Sequence, residues 1–159
     1  MPLDSRMILL AEKCTSTQNA YEISFQNERF GSRIYGILTI PKKEGKYPAI
    51  LRVPGAGIRP YGPEFNEDAI TLSIGIPGIP VTLTDEVYRN LAAGGLNSYP
   101  YMNMNKRDSH YYKRVFLGCV RSVDFIYTLP EFDGRVGVTG GSQGGALSIV
   151  TAGLDPRIK

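Results

Sequence analysis

The sequence predicts an α/β sandwich with a mostly parallel central sheet. Short apolar or alternating runs, typical of β-strands, fill most of the first half of the chain. A long amphipathic helix pattern follows them, and the last strand-like run leads directly into another helix-like run. The composition agrees with a single globular domain, because 42% of the 159 residues are hydrophobic and 21% are charged.

Four strands are predicted before the first helix. Residues 19–26 alternate between apolar and polar side chains, residues 33–40 form a second strand-like run, and residues 30–32 suit a hairpin between the two. Residues 48–53 are largely apolar, which is typical of a strand covered on both faces. Residues 69–75 are the fourth predicted strand, and the sheet is expected to be mostly parallel after its first strands.

Two helices are predicted between the fourth strand and the fifth. Thr84 is expected to cap a helix over residues 85–93, and Asp108 is expected to cap the longest helix of the chain. The apolar stripe of the longer helix comprises Tyr112, Phe116, Cys119, Val120, Val123, Ile126 and Tyr127. Tyr99 and Tyr101 lie between the two helices, where packing under a loop is favoured over stacking on a sugar.

The motif Gly140-Gly141-Ser142-Gln143-Gly144 carries the predicted chemistry. It follows a β-branched run at residues 135–139 and precedes a helix-like run at residues 145–152, which is the context of a nucleophile elbow. The absence of side chains at Gly140 and Gly144 allows the strand and the helix to approach, with Gly141 completing the turn. Ser142 is therefore the candidate catalytic nucleophile.

Two backbone amides are candidates for an oxyanion hole. The N–H of Gln143 lies at the start of the predicted helix, where amide donors have no partner within the helix. The turn Pro54-Gly55-Ala56-Gly57 follows the third strand, at the sheet edge where α/β proteins bind ligands, and the N–H of Ala56 is the candidate second donor. Pro54 has no N–H to donate.

A complete catalytic triad cannot be drawn within the chain. His110 is the sole histidine, precedes Ser142 and is expected at the surface. Asp155 is the sole acid after Ser142, and its place before Pro156 suggests a turn former rather than a triad acid. The sequence is therefore interpreted as a fragment, with a lead segment at residues 1–18 and a partial domain at residues 19–159 that lacks its C-terminal strands.

Three segments resemble the acetyl xylan esterase and cephalosporin C deacetylase family of α/β-hydrolases. They are residues 24–57, residues 111–134 and residues 135–159, of which the last contains the specific run Gly-Gly-Ser-Gln-Gly-Gly. The resemblance implies an α/β-hydrolase-like sandwich truncated after the helix that follows the elbow. It also implies that Ser142 is the nucleophile, that the Gln143 amide is an oxyanion donor, and that the aspartate and histidine of the triad lie beyond Lys159.

The predicted function is a serine carboxylic-ester hydrolase of the deacetylase type that acts on acetylated carbohydrate and is crippled in this fragment. A peptidase-type α/β-hydrolase domain is one alternative. The other is a non-catalytic, incomplete hydrolase that pairs with another chain. The expected partners are a small acyl ester, such as an acetylated sugar, and either a second copy of the chain or a missing C-terminal half.

The remaining features of the sequence exclude other classes of function. The net charge is +3 and the basic residues are scattered, so no nucleic-acid partner is expected. The apolar run at residues 7–11 is too short for a signal-peptide core, so a soluble protein without membrane association is expected. Cys14 and Cys119 are expected to be free thiols. Neither a cofactor nor a metal site is predicted.

Overall fold

The computed structural model describes residues 1–28, 31–76 and 78–159. The described strands and helices are β1 (Arg6–Leu9), β2 (Gln18–Gln26), β3 (Arg33–Pro41), β4 (Tyr47–Arg52), β5 (Ile70–Gly75), α1 (Asp85–Ala93), α2 (Tyr111–Ile126), β6 (Phe132–Thr139) and α3 (Gln143–Leu154). Single 3₁₀ turns occur at Ala11–Lys13 and Tyr99–Tyr101. Phe30, in the predicted hairpin link, lies outside the described residues.

The strands form one mixed sheet in the order β1-β2-β3-β5-β4-β6. Neighbouring strands are antiparallel from β1 through β2 and β3 to β5, whereas β4 pairs in parallel with both β5 and β6. The predicted α/β architecture, with parallel strands after the first ones, is confirmed. Because β4, β5 and β6 point the same way, their carboxyl ends meet at one edge of the sheet.

The core lies between the sheet and α2. The predicted apolar stripe of α2 is only partly correct, because Tyr127 is exposed whereas Tyr111, Val115 and Phe125, which lie outside the stripe, are buried. Fully buried side chains of the sheet include Leu38, Leu51 and Leu72, and those of α2 include Cys119, Val123 and Ile126. Phe25 of β2 stacks on Phe125 of α2 with their ring centroids 5.2 Å apart. The same core cluster includes Val136 of β6 and Leu147 of α3, so the elements on both sides of Ser142 are anchored in it.

The strand β1 was not predicted from the sequence. It pairs antiparallel with β2, from Arg6 opposite Ser24 to Leu9 opposite Tyr21. All four of its residues are exposed, and Ile8 is 59% exposed. A strand held at a sheet edge by backbone hydrogen bonds alone needs no alternation of apolar and polar side chains, so its sequence carries no such pattern.

The caps of α1 and α2 agree only in part with the predictions. Thr84 is the N-cap of α1, as predicted, although its side chain makes no capping hydrogen bond. The predicted cap of α2 is wrong, because the helix begins after His110 rather than after Asp108. The Asp108 carboxylate instead lies 3.2 Å from Nζ of Lys113, and this ion pair takes the place of a bond to the helix amides.

The chain returns to the sheet after α3. Ile158 forms a parallel bridge with Val136 of β6, and the N–H of Lys159 donates to the Val136 carbonyl at 2.9 Å. This contact lies on a strand whose other pairing is to β4. Residues 158–159 therefore extend the parallel part of the sheet beyond β6.

Candidate active site

Ser142 lies on the sharp turn between the end of β6 and the start of α3. Its backbone has φ 54° and ψ −124°, and a residue other than glycine rarely adopts a positive φ. A serine before a helix usually bonds a helix amide through its side chain, but Ser142 makes no such bond. The residue is exposed, so its Oγ is open to a substrate. The strand, turn and helix predicted around Ser142 are all present.

Two of the three elbow glycines are required by close backbone contacts. A Cβ at Gly140 would collide with the Val53 carbonyl and would lie 2.7 Å from the Gly144 carbonyl. A Cβ at Gly144 would collide with the same Val53 carbonyl. No atom lies within 4 Å of a Cβ built on Gly141, so space alone does not require glycine there. The end of β4 thus packs directly against the elbow.

The loop after β4 lies beside Ser142. A Cβ at Gly55 would be 3.9 Å from the Ser142 Cβ and 3.5 Å from the Gly141 carbonyl oxygen. The Ala56 carbonyl accepts a hydrogen bond of 2.9 Å from Nη1 of Arg59. Gly57 has φ +130°, a conformation that favours glycine, so the loop can turn sharply at this point.

The two predicted oxyanion donors remain available within the described part of the chain. The Gln143 amide is the first of α3, and the Ala56 amide belongs to the loop next to the serine; neither donates to another described residue. The partial positive charge at a helix N-terminus favours an anion beside the Gln143 amide. The arrangement can therefore stabilise negative charge on an oxygen bound next to Ser142.

The side chain of Gln143 is held by two tyrosines that sequence reasoning did not place at the site. The hydroxyl of Tyr99 donates to Gln143 Oε1 at 3.1 Å, and that of Tyr112 donates to the same atom at 2.6 Å. Burial, together with the neighbouring Tyr99, raises the pKa of Tyr112, so its hydroxyl stays protonated and able to donate. Tyr112 was predicted only as part of the apolar stripe of α2.

A polar cleft of about 300 Å³ opens between the carboxyl ends of β4, β5 and β6. Its lining includes the two glycines before Ser142, the loop after β4, and an ion pair between Arg52 and Glu64. The Tyr61 hydroxyl and the Ser73 hydroxyl are buried there without a hydrogen-bond partner among the described residues. Such groups can bond to hydroxyls of a bound molecule, so the cleft suits a polar ligand.

His110 and Asp155 make their described contacts with residues other than Ser142. His110 was predicted at the surface, but it is half-buried, its Nε2 is buried, and its ring packs 5.7 Å from the Tyr112 ring. Asp155 is 3% exposed, and its carboxylate accepts bonds from Nε and Nη2 of Arg157. This Arg157 contact lowers the pKa of Asp155. No described hydrogen bond joins either residue to Ser142.

Metal ligation and membrane insertion find no support in the part of the chain that the structure describes. No group of three or more His, Cys, Asp or Glu residues there is placed to hold a metal ion. None of the described helices combines the length and the apolar character needed to cross a bilayer.

The mixed sheet and the strand–serine–helix turn define an α/β-hydrolase-like fold. A sequence model of the family "Acetyl xylan esterase (AXE1)" matches residues 98–159, which include α2, β6, the elbow and α3. Residues 98–159 therefore match the acetyl xylan esterase family, and the resemblance noted in the sequence is confirmed.

Individual relatives agree with this assignment. The acetyl esterase Axe7A of Xylanibacter ruminicola is 43% identical over 153 residues, which are 91% of this chain and 35% of that protein. The solved acetyl xylan esterase from Paenibacillus sp. R4 superposes with a TM-score of 0.79 at 27% identity. Acetyl xylan esterase 1 from Thermoanaerobacterium sp. JW/SL YS485 also has a TM-score of 0.79, at 25% identity. This chain is covered completely in both superpositions but spans only 52% and 51% of those chains.

Proposed function

We propose that this chain carries the nucleophile of a serine esterase that removes acetyl groups from carbohydrate. The observation that carries the proposal is the state of Ser142. This serine is exposed, has a positive φ, makes no capping hydrogen bond through its side chain, and is adjacent to the first amide of α3. The related proteins named as acetyl esterases and acetyl xylan esterases suggest the acyl group and the class of substrate. The polar cleft next to Gly140 and Gly141 suits a sugar with several hydroxyls.

In the proposed mechanism, Ser142 Oγ attacks the acetyl carbonyl carbon as a base takes its proton. The carbonyl oxygen becomes an oxyanion that accepts bonds from the amides of Gln143 and Ala56. The tetrahedral intermediate collapses, the sugar oxygen leaves with a proton, and Ser142 remains acetylated. Water then attacks the acetyl carbonyl as the base takes one of its protons, and that proton passes to Ser142 Oγ as the bond between Oγ and the acetyl carbon breaks. Acetic acid leaves and ionises to acetate, releasing its proton to solvent. Each step conserves charge and protons without any cofactor.

The base and its orienting acid are proposed to come from outside residues 1–159. His110 and Asp155 make their described contacts with Tyr112 and Arg157 rather than with Ser142. The family resemblance implies that the aspartate and the histidine lie after Lys159, which supports this proposal. We therefore propose that residues 19–159, extended at the edge of the sheet by β1, form the first part of an α/β-hydrolase domain that is completed by further residues.

The proposal is tested by kinetics on the full gene product. We expect hydrolysis of 4-nitrophenyl acetate and release of acetate from acetylated xylo-oligosaccharides, and we expect Ser142→Ala to lower both by about a thousandfold or more. Ser109→Ala, which alters an exposed serine outside the elbow, is the matched control and should keep full activity. Activity that survives Ser142→Ala would contradict the assignment of the nucleophile.

The same assay separates the ester reaction from peptide hydrolysis and from an inert domain. Acetylated sugars should be hydrolysed much faster than aminoacyl 4-nitroanilides, since the proposed substrate is an acetyl ester. Faster cleavage of the anilides would contradict the deacetylase proposal and favour a peptidase. No Ser142-dependent turnover of either substrate would favour a non-catalytic module. Residues 1–159 alone should be slower than the full gene product by orders of magnitude, about the loss seen when triad members are removed.

A further inference from the structure

A short chain of hydrogen bonds connects the two loops that carry the proposed oxyanion donors. The Gly57 amide donates to the Tyr99 hydroxyl at 3.3 Å, and that hydroxyl donates to Gln143 Oε1 at 3.1 Å. The Tyr112 hydroxyl donates to the same Oε1 at 2.6 Å. The bonds therefore run from the residue after Ala56 to the residue after Ser142.

Two atoms of this network, Oε1 of Gln143 and the hydroxyl oxygen of Tyr99, each take part in two hydrogen bonds. An amide oxygen has two lone pairs, and Oε1 of Gln143 accepts from two tyrosine hydroxyls. A tyrosine hydroxyl has one proton, and that of Tyr99 donates to Gln143 while its oxygen accepts from Gly57. The Nε2 group of Gln143 is buried without a hydrogen-bond partner among the described residues, so the two tyrosine hydroxyls are the side-chain contacts that orient this amide.

Both tyrosines are themselves fixed by the fold. Tyr99 is 5% exposed and packs against Tyr111, with the ring centroids 5.2 Å apart. It follows Ser98, whose φ of 54° turns the chain into the 3₁₀ turn at Tyr99–Tyr101. Tyr112 is on the first turn of α2 and packs against Phe116 at 5.8 Å. Because the tyrosine rings are fixed by packing, their hydroxyls can hold the bonded loop residues in fixed positions.

We propose that Tyr99 and Tyr112 are positioning residues that hold the oxyanion amides of Gln143 and Ala56 in their working arrangement. The two tyrosines have different parts in this. Tyr99 joins both loops, whereas Tyr112 holds only the Gln143 side. The inference rests on the proposed esterase function, because an oxyanion hole has a purpose only if Ser142 forms a tetrahedral intermediate.

The expected kinetic consequence follows from where the hydroxyls lie. They bond to the protein rather than to the substrate, so their removal should lower kcat and leave KM within about twofold. A single neutral hydrogen bond is expected to correspond to about a tenfold loss of kcat for Tyr99→Phe, or about 1.4 kcal/mol. Tyr112→Phe should cost only a few-fold, because Tyr99 still holds both loops.

The experiment uses the full gene product with Tyr99→Phe, Tyr112→Phe and the control Tyr101→Phe. Tyr101 is adjacent to the network but 69% exposed, so its hydroxyl should be dispensable. Two measurements are made on each variant: kcat and KM for 4-nitrophenyl acetate, and hydrogen exchange of the Gly57 amide. Tyr99→Phe should accelerate Gly57 exchange at least about tenfold, whereas Tyr112→Phe should leave that amide protected.

A double-mutant cycle tests whether the network acts as a unit. Gln143→Met keeps the length of the side chain but removes the acceptor oxygen, so adding Tyr99→Phe to it should cost less than Tyr99→Phe costs in the wild type. The proposal predicts this non-additivity in kcat. Strict additivity would show that Tyr99 acts on the rate by some route other than Gln143 and would overturn the proposal.

The failure of this inference and the failure of the proposed function are distinguishable. If the wild type shows no Ser142-dependent hydrolysis, the esterase proposal fails, while Gly57 exchange still decides whether Tyr99 tethers the loop. If the wild type is active and Tyr99→Phe leaves both kcat and Gly57 exchange unchanged, the positioning role is overturned. A loss of kcat in Tyr99→Phe without faster Gly57 exchange, or an equal loss in Tyr101→Phe, would overturn it as well.

Discussion

Replacing Ser142 with glycine should stabilise the fold while it removes the nucleophile. Ser142 has φ 54° and ψ −124°, and a residue other than glycine in such a sparsely populated region costs about 1–3 kcal/mol. Glycine relieves this cost but loses about 0.5–1 kcal/mol more conformational entropy on folding. The mid-range values of these two effects predict a net gain in the free energy of unfolding of about 1 kcal/mol.

Ser142→Ala is the control that separates backbone strain from loss of the hydroxyl. Alanine keeps the Cβ and therefore the strain, and the Ser142 side chain makes no capping bond whose loss would destabilise α3. Its stability should match the wild type within about 0.5 kcal/mol. Urea unfolding of all three proteins under the same conditions measures the differences. If Ser142→Gly were no more stable than Ser142→Ala, the elbow would not be strained and the argument would be refuted.

Three further predictions concern the surroundings of the elbow. Gly144→Ala should destabilise the protein by about 1–3 kcal/mol, because its Cβ would collide with the carbonyl of Val53, the residue after β4. Gly153→Ala has open space around it and should stabilise α3 by about 0.5 kcal/mol. Urea unfolding that gave both variants a change of the same sign would contradict the steric reasoning. Burial raises the pKa of Cys119 to about 11, so iodoacetamide at about pH 8 should modify Cys14 well before Cys119. Mass spectrometry measures the two alkylation rates, and equal rates would contradict the packing of α2. The hydrogen bonds from Arg157 lower the pKa of Asp155, so the contribution of this carboxylate to stability is complete above the unfolded-state pKa of about 3.9 and is lost as the pH falls through the lower folded-state pKa. The difference in the free energy of unfolding between the wild type and Asp155→Asn should therefore shrink over that pH range. A difference that did not depend on pH would contradict the ion pair.

The strands and the elbow could be predicted because their signals are local in the sequence. The strands β2 to β5 bury side chains on the sheet faces, so apolar residues recur in short runs at each of them. The elbow requires glycines within a few residues of Ser142, because the Val53 carbonyl leaves no room for a side chain at two positions. The carbonyl that requires the glycines is distant in the sequence, but the glycines themselves lie two residues before and two residues after Ser142, so the pattern is visible in a single sequence.

The remaining features depend on contacts between residues that are distant in the sequence. The bond between Tyr99 and Gln143 joins residues 44 positions apart, and that between Tyr112 and Gln143 joins residues 31 positions apart. A tyrosine on an apolar stripe has the same periodicity whether its hydroxyl faces solvent or a buried amide. His110 was misplaced for a related reason, since the position of a cap residue depends on what packs around it. The positions of these side chains can be assigned only once the fold is known.

The proposed esterase chemistry depends most directly on an activated hydroxyl at Ser142. Incubating the full gene product with a fluorophosphonate probe, followed by peptide mass spectrometry, tests this in one measurement, because the probe reacts only with an activated serine. The account predicts one adduct, on Ser142, that is absent in Ser142→Ala and slower to form in Tyr99→Phe. An adduct on another residue, or no adduct on the folded wild type, would contradict it.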